Sequence, residues 1–333
     1  MVKYLIVGPS WVGDMVMAQS LFMTIKQQEP DAIIDVIGPN WSVPILARMP
    51  EVRNAIVLPT SHGEWGIKTR LTIGKRLRDE SYSKAIVIPR SWKSALVPFF
   101  ANIPHRIGFK GEQRYVLLNE RRKLDKNILN QTVKRFVSLG VNNQEAYPPN
   151  ILPQPKLAID KANQIELYKK HSLSQRPAIA LMPGAEFGPS KQWPIPHFHE
   201  LAKKLIEKGH QVWILGGPKD QQDGNEIIKD LGEYAVNLCG KTQLVDAIDL
   251  LEAAEVAISN DSGLMHVAAA VGTRVHGIYG STSELFTPPL TDNKVIHNLH
   301  LECSPCFKRE CPLGHTNCQY KIKPSSIYES LLN

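Results

Sequence analysis

Twice along this chain, short apolar runs of strand length alternate with polar loops and with segments of helical periodicity. A proline-rich stretch separates the two series. The first opens with Lys3–Val7 (KYLIV), a loop at residues 8–13, and a helical segment from Asp14 with Met15, Val16, Ala18, Leu21, Phe22 and Ile25 on its apolar face. Further strands are expected at 33–37, 55–58 and 84–88, with a basic amphipathic helix at 67–80 and a buried helix at 94–101. The second series places strands at Ala178–Met182, 211–215, 256–258 and 274–279, and helices at 196–208, 221–231, 244–254 and 323–332. Strand alternating with helix at this spacing predicts an α/β fold, a parallel sheet with helices on both faces, and it predicts it twice.

Between the series, residues 147–155 hold four prolines in nine positions, which neither a helix nor a central strand tolerates. They read as an interdomain linker. The N-terminal domain is then 1–150, the C-terminal domain 156–322, and 323–333 a closing helix expected to pack back on the N-terminal domain. A chain of 333 residues is long enough for both. Its 43% hydrophobic and 21% charged content fits a globular protein rather than a disordered one. The apolar run at the N-terminus is too short for a signal peptide and no stretch reaches membrane-span length, so a cytoplasmic protein is expected. A net charge of +7 favours acidic partners without choosing among nucleic acid, anionic headgroups and phosphorylated small molecules.

Open parallel sheets bind ligands beyond the carboxyl ends of their strands, so the loops there carry the functional question. Residues 256–270 (VAISNDSGLMHVAAA) read as strand, tight loop and helix. Asp261 and Ser262 suit an N-cap, Gly263 permits close backbone approach, and the exposed N–H groups favour an anion. An ordinary capped helix would read the same way. His266 lies on the first turn of that helix. The loop 184–194, with Gly184, Ala185 and Lys191, is a second anion site, suited to neutralising a diphosphate. Asp220, after Gly216-Gly217, could take ribose hydroxyls, and a solvated turn accounts for it equally well.

The loop from Gly8 to Gly13 has phosphate-loop glycine spacing, but Asp14 and Met15 stand where such a loop needs Lys and Ser or Thr. A carboxylate there repels a triphosphate, and the spacing is not that of a dinucleotide site. Nucleotide hydrolysis and hydride transfer are therefore not expected. Asp14 can instead cap its helix or, kept ionised by the helix dipole, act as a general base. A basic region holds Arg90, Lys93, Arg106, Lys110, Arg114, Arg121, Arg122 and Lys123, interleaved with Trp92, Phe109 and Tyr115. It suits phosphorylated sugars as well as nucleic acid. Cys303, Cys306, Cys311 and Cys318 form C-x2-C-x4-C-x6-C with His315 inside it. Either a closed structural zinc site or free, redox-active thiols would account for the cluster. Cys239 stands apart and reads as a small buried hydrophobe.

Together, GPSWVGDMVMAQSL at 8–21, SALVPFFANIPHRIGFKGEQRY at 94–115, PGAEFGPSKQWP at 183–194, NDSGLMHVAAA at 260–270 and FTPPL at 286–290 resemble the ADP-heptose:lipopolysaccharide heptosyltransferases of glycosyltransferase family 9. The resemblance runs to about residue 298. It implies a GT-B fold, two Rossmann-like domains with parallel sheets facing a central cleft, with acceptor on the first and ADP-heptose on the second. It implies inverting transfer of L-glycero-D-manno-heptose to the first heptose of the inner core, with an earlier-acting or later-core heptosyltransferase as the alternative. Asp14 matches the family's catalytic aspartate. Gly184, Ala185, Lys191, Asp220, Asp261, Ser262, Gly263 and His266 match its donor side. Ser10, Gly13, Arg90, Lys93, Arg106, Lys110 and Arg114 are placed on the acceptor side. No cofactor is required for catalysis, and a structural zinc on the four cysteines is the one metal considered. The expected partners are ADP-heptose, a phosphorylated lipopolysaccharide core and the cytoplasmic face of the inner membrane, not nucleic acid. A basic nucleic-acid-binding protein and a zinc-dependent interaction protein with a degenerate transferase core are the competing readings.

Overall fold

The computed structural model describes residues 1–60, 64–141 and 152–332. The chain divides into two compact units, Met1–Pro155 and Lys156–Asn333. Most of the proline-rich stretch, from 147 to 151, lies outside the described residues.

The first unit carries β1 (Lys3–Val7), β2 (Ile33–Gly38), β3 (Val52–Val57), β4 (Lys84–Val87), β5 (His105–Phe109) and β6 (Glu120–Arg122). Its helices are α1 (Val12–Gln28), α2 (Val43–Leu46), α3 (Ile67–Arg76), α4 (Leu96–Phe100) and α5 (Thr132–Gly140). The strands form one parallel sheet in the order β3-β2-β1-β4-β5-β6. Leu5 and Val7 of β1 and Ala85 and Val87 of β4 point into one core with Leu96 and Val97 of α4 and Ile73 of α3. On α1, buried Met15, Val16, Leu21 and Phe22 cover the sheet, and the helix packs along α5. The same central strand therefore ends where α1 begins, and this fixes Asp14 in the first turn.

The second unit repeats the plan. It carries β7 (Ala178–Met182), β8 (Gln211–Ile214), β9 (Ala235–Asn237), β10 (Val256–Asn260), β11 (Arg274–Ile278) and β12 (Lys294–His297). Its helices are α6 (Lys161–Lys170), α7 (Ile195–Glu207), α8 (Gln221–Ile228), α9 (Leu244–Ala253), α10 (Gly263–Ala270), α11 (Asn317–Tyr320) and α12 (Pro324–Leu331). The sheet is again parallel, ordered β12-β11-β10-β7-β8-β9. Counted from each unit's first strand, the two orders are the same. Each sheet thus has one point where the winding reverses, between β1 and β4 and between β7 and β10. Ile179, Leu181, Val212, Ile214 and Ile258 pack there with Phe198, Leu201 and Leu205 of α7.

The closing helix α12 packs on α7, and Ile327 is fully buried in the second unit's own core. Its apolar face is satisfied inside the unit that contains it. The strands expected near 55–58 and 256–258 are longer than their apolar runs, because β3 and β10 continue through polar residues.

Candidate functional site

In the second unit, the loops leaving β7 and β10 meet where the sheet reverses its winding. The β7 loop brings Lys191, and the β10 loop brings Asp261. Lys191 Nζ donates to Asp261 Oδ2 at 2.6 Å and to the Asp261 carbonyl at 3.3 Å. Thr282, beyond β11, donates from Oγ1 to the same Oδ2 at 2.6 Å. Two further bonds hold the loops in register: Trp193 N donates to Asn260 Oδ1 at 3.0 Å, and Asn260 Nδ2 donates to the Pro183 carbonyl at 2.7 Å. Lys191 also lies 5.1 Å from the centre of the Phe187 ring. An ammonium has three N–H donors. Two of them point to Asp261.

Ser262 occupies the N-cap position of α10 in extended conformation and makes no side-chain cap bond. The first amides of that helix are thus not consumed by their own cap, and they lie beside Gly263. Asp261 is not the cap either, since Lys191 and Thr282 engage its carboxylate. His266 is buried, and burial lowers its pKa to about 4, with Asp261 opposing the shift and Lys191 adding to it. The ring is therefore neutral near pH 7 and can take part through a hydrogen bond rather than a charge.

Asp220 stands after β8. Its Oδ2 accepts from Gly217 N at 2.8 Å, and burial raises its pKa. A Cβ on Gly184 or Gly216 would lie 2.9 or 2.6 Å from Oδ2. The two glycines, at the ends of β7 and β8, therefore leave the space this carboxylate fills. Asp220 sits against the Gly184 loop, and Ala185 follows in that loop, half-buried.

In the first unit, Asp14 is the third residue of α1 and half-buried, with Trp11 in extended conformation at the N-cap. Ser10 is exposed and Gly13 is buried. The loop after β4 adds Arg90, exposed, with its Nη2 3.3 Å from the Lys110 carbonyl, and Lys93, whose Nζ donates to the Glu64 carbonyl at 2.9 Å. Lys110 is exposed.

Two arginines assigned to the acceptor face are committed to the fold instead. Arg114 is 2% exposed, and its guanidinium donates to the carbonyls of Pro89, at 2.7 Å, and Phe109. Burial depresses its pKa to about 10. Arg106 donates to the carbonyls of Leu117 at 2.8 Å and Ile103 at 2.6 Å and stacks over Phe99. A planar fork of donors suits backbone carbonyls as readily as phosphates, and a charge run in sequence does not distinguish the two uses. Sequence reading also missed Thr282 and Asn260. The signal for Thr282 was a Ser-Thr-Ser turn after the β11 strand.

The four clustered cysteines line one small cavity in the second unit. Among the described residues, no three His, Cys, Asp or Glu side chains already stand at metal-holding spacing.

Residues 70–317 match the family model for glycosyltransferase family 9 (heptosyltransferase). The chain is 44% identical to lipopolysaccharide heptosyltransferase 2 of Salmonella typhimurium, over 99% of this chain and 97% of that one. It is 47% identical to lipooligosaccharide heptosyltransferase 2 of Haemophilus influenzae, covering 89% and 88%. Its fold superposes on a solved ADP-heptose lipopolysaccharide heptosyltransferase II of E. coli with a TM-score of 0.90 and 41% identity, covering 99% of this chain and 98% of that chain.

Proposed function

The chain belongs to glycosyltransferase family 9, the heptosyltransferases, and from that we infer that it transfers a heptosyl group from ADP-heptose to the lipopolysaccharide inner core. The observation that carries the donor side of this reading is the 2.6 Å pairing of Lys191 with Asp261 where the second sheet reverses. A cation beside a helix N-terminus suits the charge that gathers on a departing diphosphate, and this supports the reading.

The reaction is read as a single inverting displacement. An acceptor hydroxyl oxygen forms a bond to the donor's anomeric carbon as the bond from that carbon to the diphosphate oxygen breaks. The hydroxyl proton passes to the Asp14 carboxylate, and ADP leaves with the bonding electrons. A carboxylate is a weak base for an alcohol, so the proton moves late, as the new C–O bond forms. Lys191 and the first amides of α10 stabilise the departing diphosphate. Asp261 orients Lys191, neutral His266 offers a hydrogen bond at the sugar, and Asp220, next to Gly184, takes a ribose hydroxyl. This chemistry needs no catalytic metal.

On the acceptor side the charge falls to Arg90, Lys93 and Lys110, with Ser10 and Gly13 shaping the loop beside Asp14. These exposed cations suit a phosphorylated sugar core. A lipid-borne acceptor has to be met at a membrane surface, and no helix among the described residues is long and apolar enough to cross one. Peripheral contact at the cytoplasmic face of the inner membrane is the corresponding location. Nucleic acid is not a partner in this reading, because Arg106 and Arg114 are withdrawn from the basic face. The test is product analysis by mass spectrometry with ADP-heptose and a core acceptor carrying one heptose. One added heptose is expected. Transfer only to a heptose-free acceptor would move the protein to the earlier step, and no transfer to either would overturn the reading.

A further inference from the structure

Two segments far apart in sequence are joined in the second unit: the loop leaving β7 and the chain at 307–309. Ser190 is buried and directly precedes Lys191. Its backbone N donates to the Arg309 carbonyl at 3.1 Å, and its hydroxyl donates to the Lys308 carbonyl. Phe307 N donates to the Ser281 carbonyl at 2.7 Å, and the hydroxyls of Ser190 and Ser281 are 3.1 Å apart. The approach is close enough to require a glycine. A Cβ on Gly188 would lie 2.5 Å from the Arg309 carbonyl oxygen and 3.0 Å from Arg309 Cα. The backbone of Arg309 is thereby fixed against the loop that carries Lys191.

That backbone delivers a charge to the loop. The guanidinium carbon of Arg309 lies 5.7 Å from the centre of the Phe187 ring, and Lys191 Nζ lies 5.1 Å from the same centre. Other cations touching the loop are already matched with acids. Lys191 pairs with Asp261 at 2.6 Å, and Lys219 pairs with Glu186 at 2.9 Å. Arg309 is exposed, and among the described residues its guanidinium makes no ion pair and no hydrogen bond. The face of Phe187 holds it. A ring face steadies a guanidinium without consuming its five N–H donors. A planar fork of free donors suits the oxygens of a phosphate, which it can take two at a time. A diphosphate carries more than one negative charge. Lys191, whose charge Asp261 already meets, leaves that charge incompletely compensated.

We propose that Arg309 is a second donor-binding cation, whose guanidinium takes the diphosphate of the nucleotide sugar alongside Lys191. The segment at 307–309 then serves to present this one side chain, which accounts for its tight seating on Ser190, Gly188 and Ser281. As the bond to the sugar breaks, the diphosphate gains charge, and a cation already in place stabilises it without reorganising. The inference rests on the reading of the β7 loop as the donor site.

The test titrates the full chain by calorimetry with ADP and with adenosine. Arg309→Gln should weaken ADP binding about 10- to 100-fold, the loss expected when a charged hydrogen-bonding group is removed, and should change adenosine binding by less than about twofold. Arg309→Lys keeps the charge without the fork and should recover part of the loss. Lys229→Gln removes the same charge from an exposed position after α8 and should bind ADP as wild type does. The melting temperature of Arg309→Gln should match that of wild type, because the guanidinium makes no hydrogen bond to the protein. Turnover at saturating ADP-heptose should fall as well, since the contact strengthens as the leaving group gains charge. Unchanged ADP affinity in Arg309→Gln would overturn the assignment. Equal losses for ADP and adenosine would also overturn it, because they would mark Arg309 as a structural support. A wild-type chain that binds ADP but transfers no heptose would overturn the heptosyltransferase reading while the ADP comparison still decides the role of Arg309. A wild-type chain that binds no ADP would overturn both.

Discussion

Asp261 shows how far a residue can be read before its neighbours are known. In sequence it is a good N-cap at the start of a helix. In the fold its carboxylate takes Lys191 and Thr282, and the helix begins two residues later at Gly263. The pair is largely buried, 15% and 5% exposed at the two side chains, so removing one charge leaves the other uncompensated. Asp261→Asn should cost about 3 kcal/mol of stability in chemical denaturation and weaken ADP-heptose binding by calorimetry. A cost below about 0.5 kcal/mol, typical of a surface pair, would mean the contact does not organise the loop. His266 gives a pH dependence whose sign follows from its burial. Its pKa is lowered to about 4 in the fold, against an ordinary 6.5. Its contribution is intact above pH 6.5 and is lost as the pH falls toward 4, because only the unfolded chain protonates readily there. His276 and His297, lowered to about 3 and about 4 chiefly by burial, act in the same direction. Unfolding of His266→Asn should therefore lose about 2 to 3 kcal/mol less than wild type between pH 7 and pH 4.5. Parallel pH profiles for the two proteins would show that the ring is not held neutral.

At the scale of elements, legibility followed apolar content. β1, β4, β7 and β10 are central strands, and each carries an apolar run of at least three residues that marks it in the sequence. β6 (ERR) and β9 (AVN) are three-residue edge strands with no such signal, and β5 (HRIGF) is hidden by its charges. The basic run at 106–123 looked like one surface, yet β5 and β6 pair within it and Arg106 and Arg114 turn inward. Helix contacts were equally silent in sequence. Gly74 of α3 faces α4, and a Cβ there would lie 2.5 Å from Phe100 Cβ and 2.9 Å from the Val97 carbonyl. In a solvated helix, Gly→Ala stabilises by about 1 kcal/mol. Here overpacking against backbone opposes that gain and costs about 1 to 3 kcal/mol. Gly74→Ala should therefore lower the melting temperature, and a rise would show that α3 and α4 can separate freely.

For the whole molecule, the repeated β/α alternation was sufficient to predict two parallel sheets, and the proline run to predict a division. The division falls between Pro155 and Lys156. Neither the common strand order nor the reversal point in each sheet could be read from spacing, because pairing between distant strands leaves no local mark. Those reversal points are what bring together residues as far apart in sequence as Lys191 and Asp261. The functional account assigns donor binding to the second unit and proton acceptance to Asp14 of the first, so the two tasks should separate by mutation. The decisive measurement is the Asp14→Asn variant, assayed for heptose transfer by product mass spectrometry and for ADP-heptose binding by calorimetry. The account predicts donor affinity within about twofold of wild type and turnover lower by about 10² to 10⁴. Near-normal turnover in that variant would contradict it.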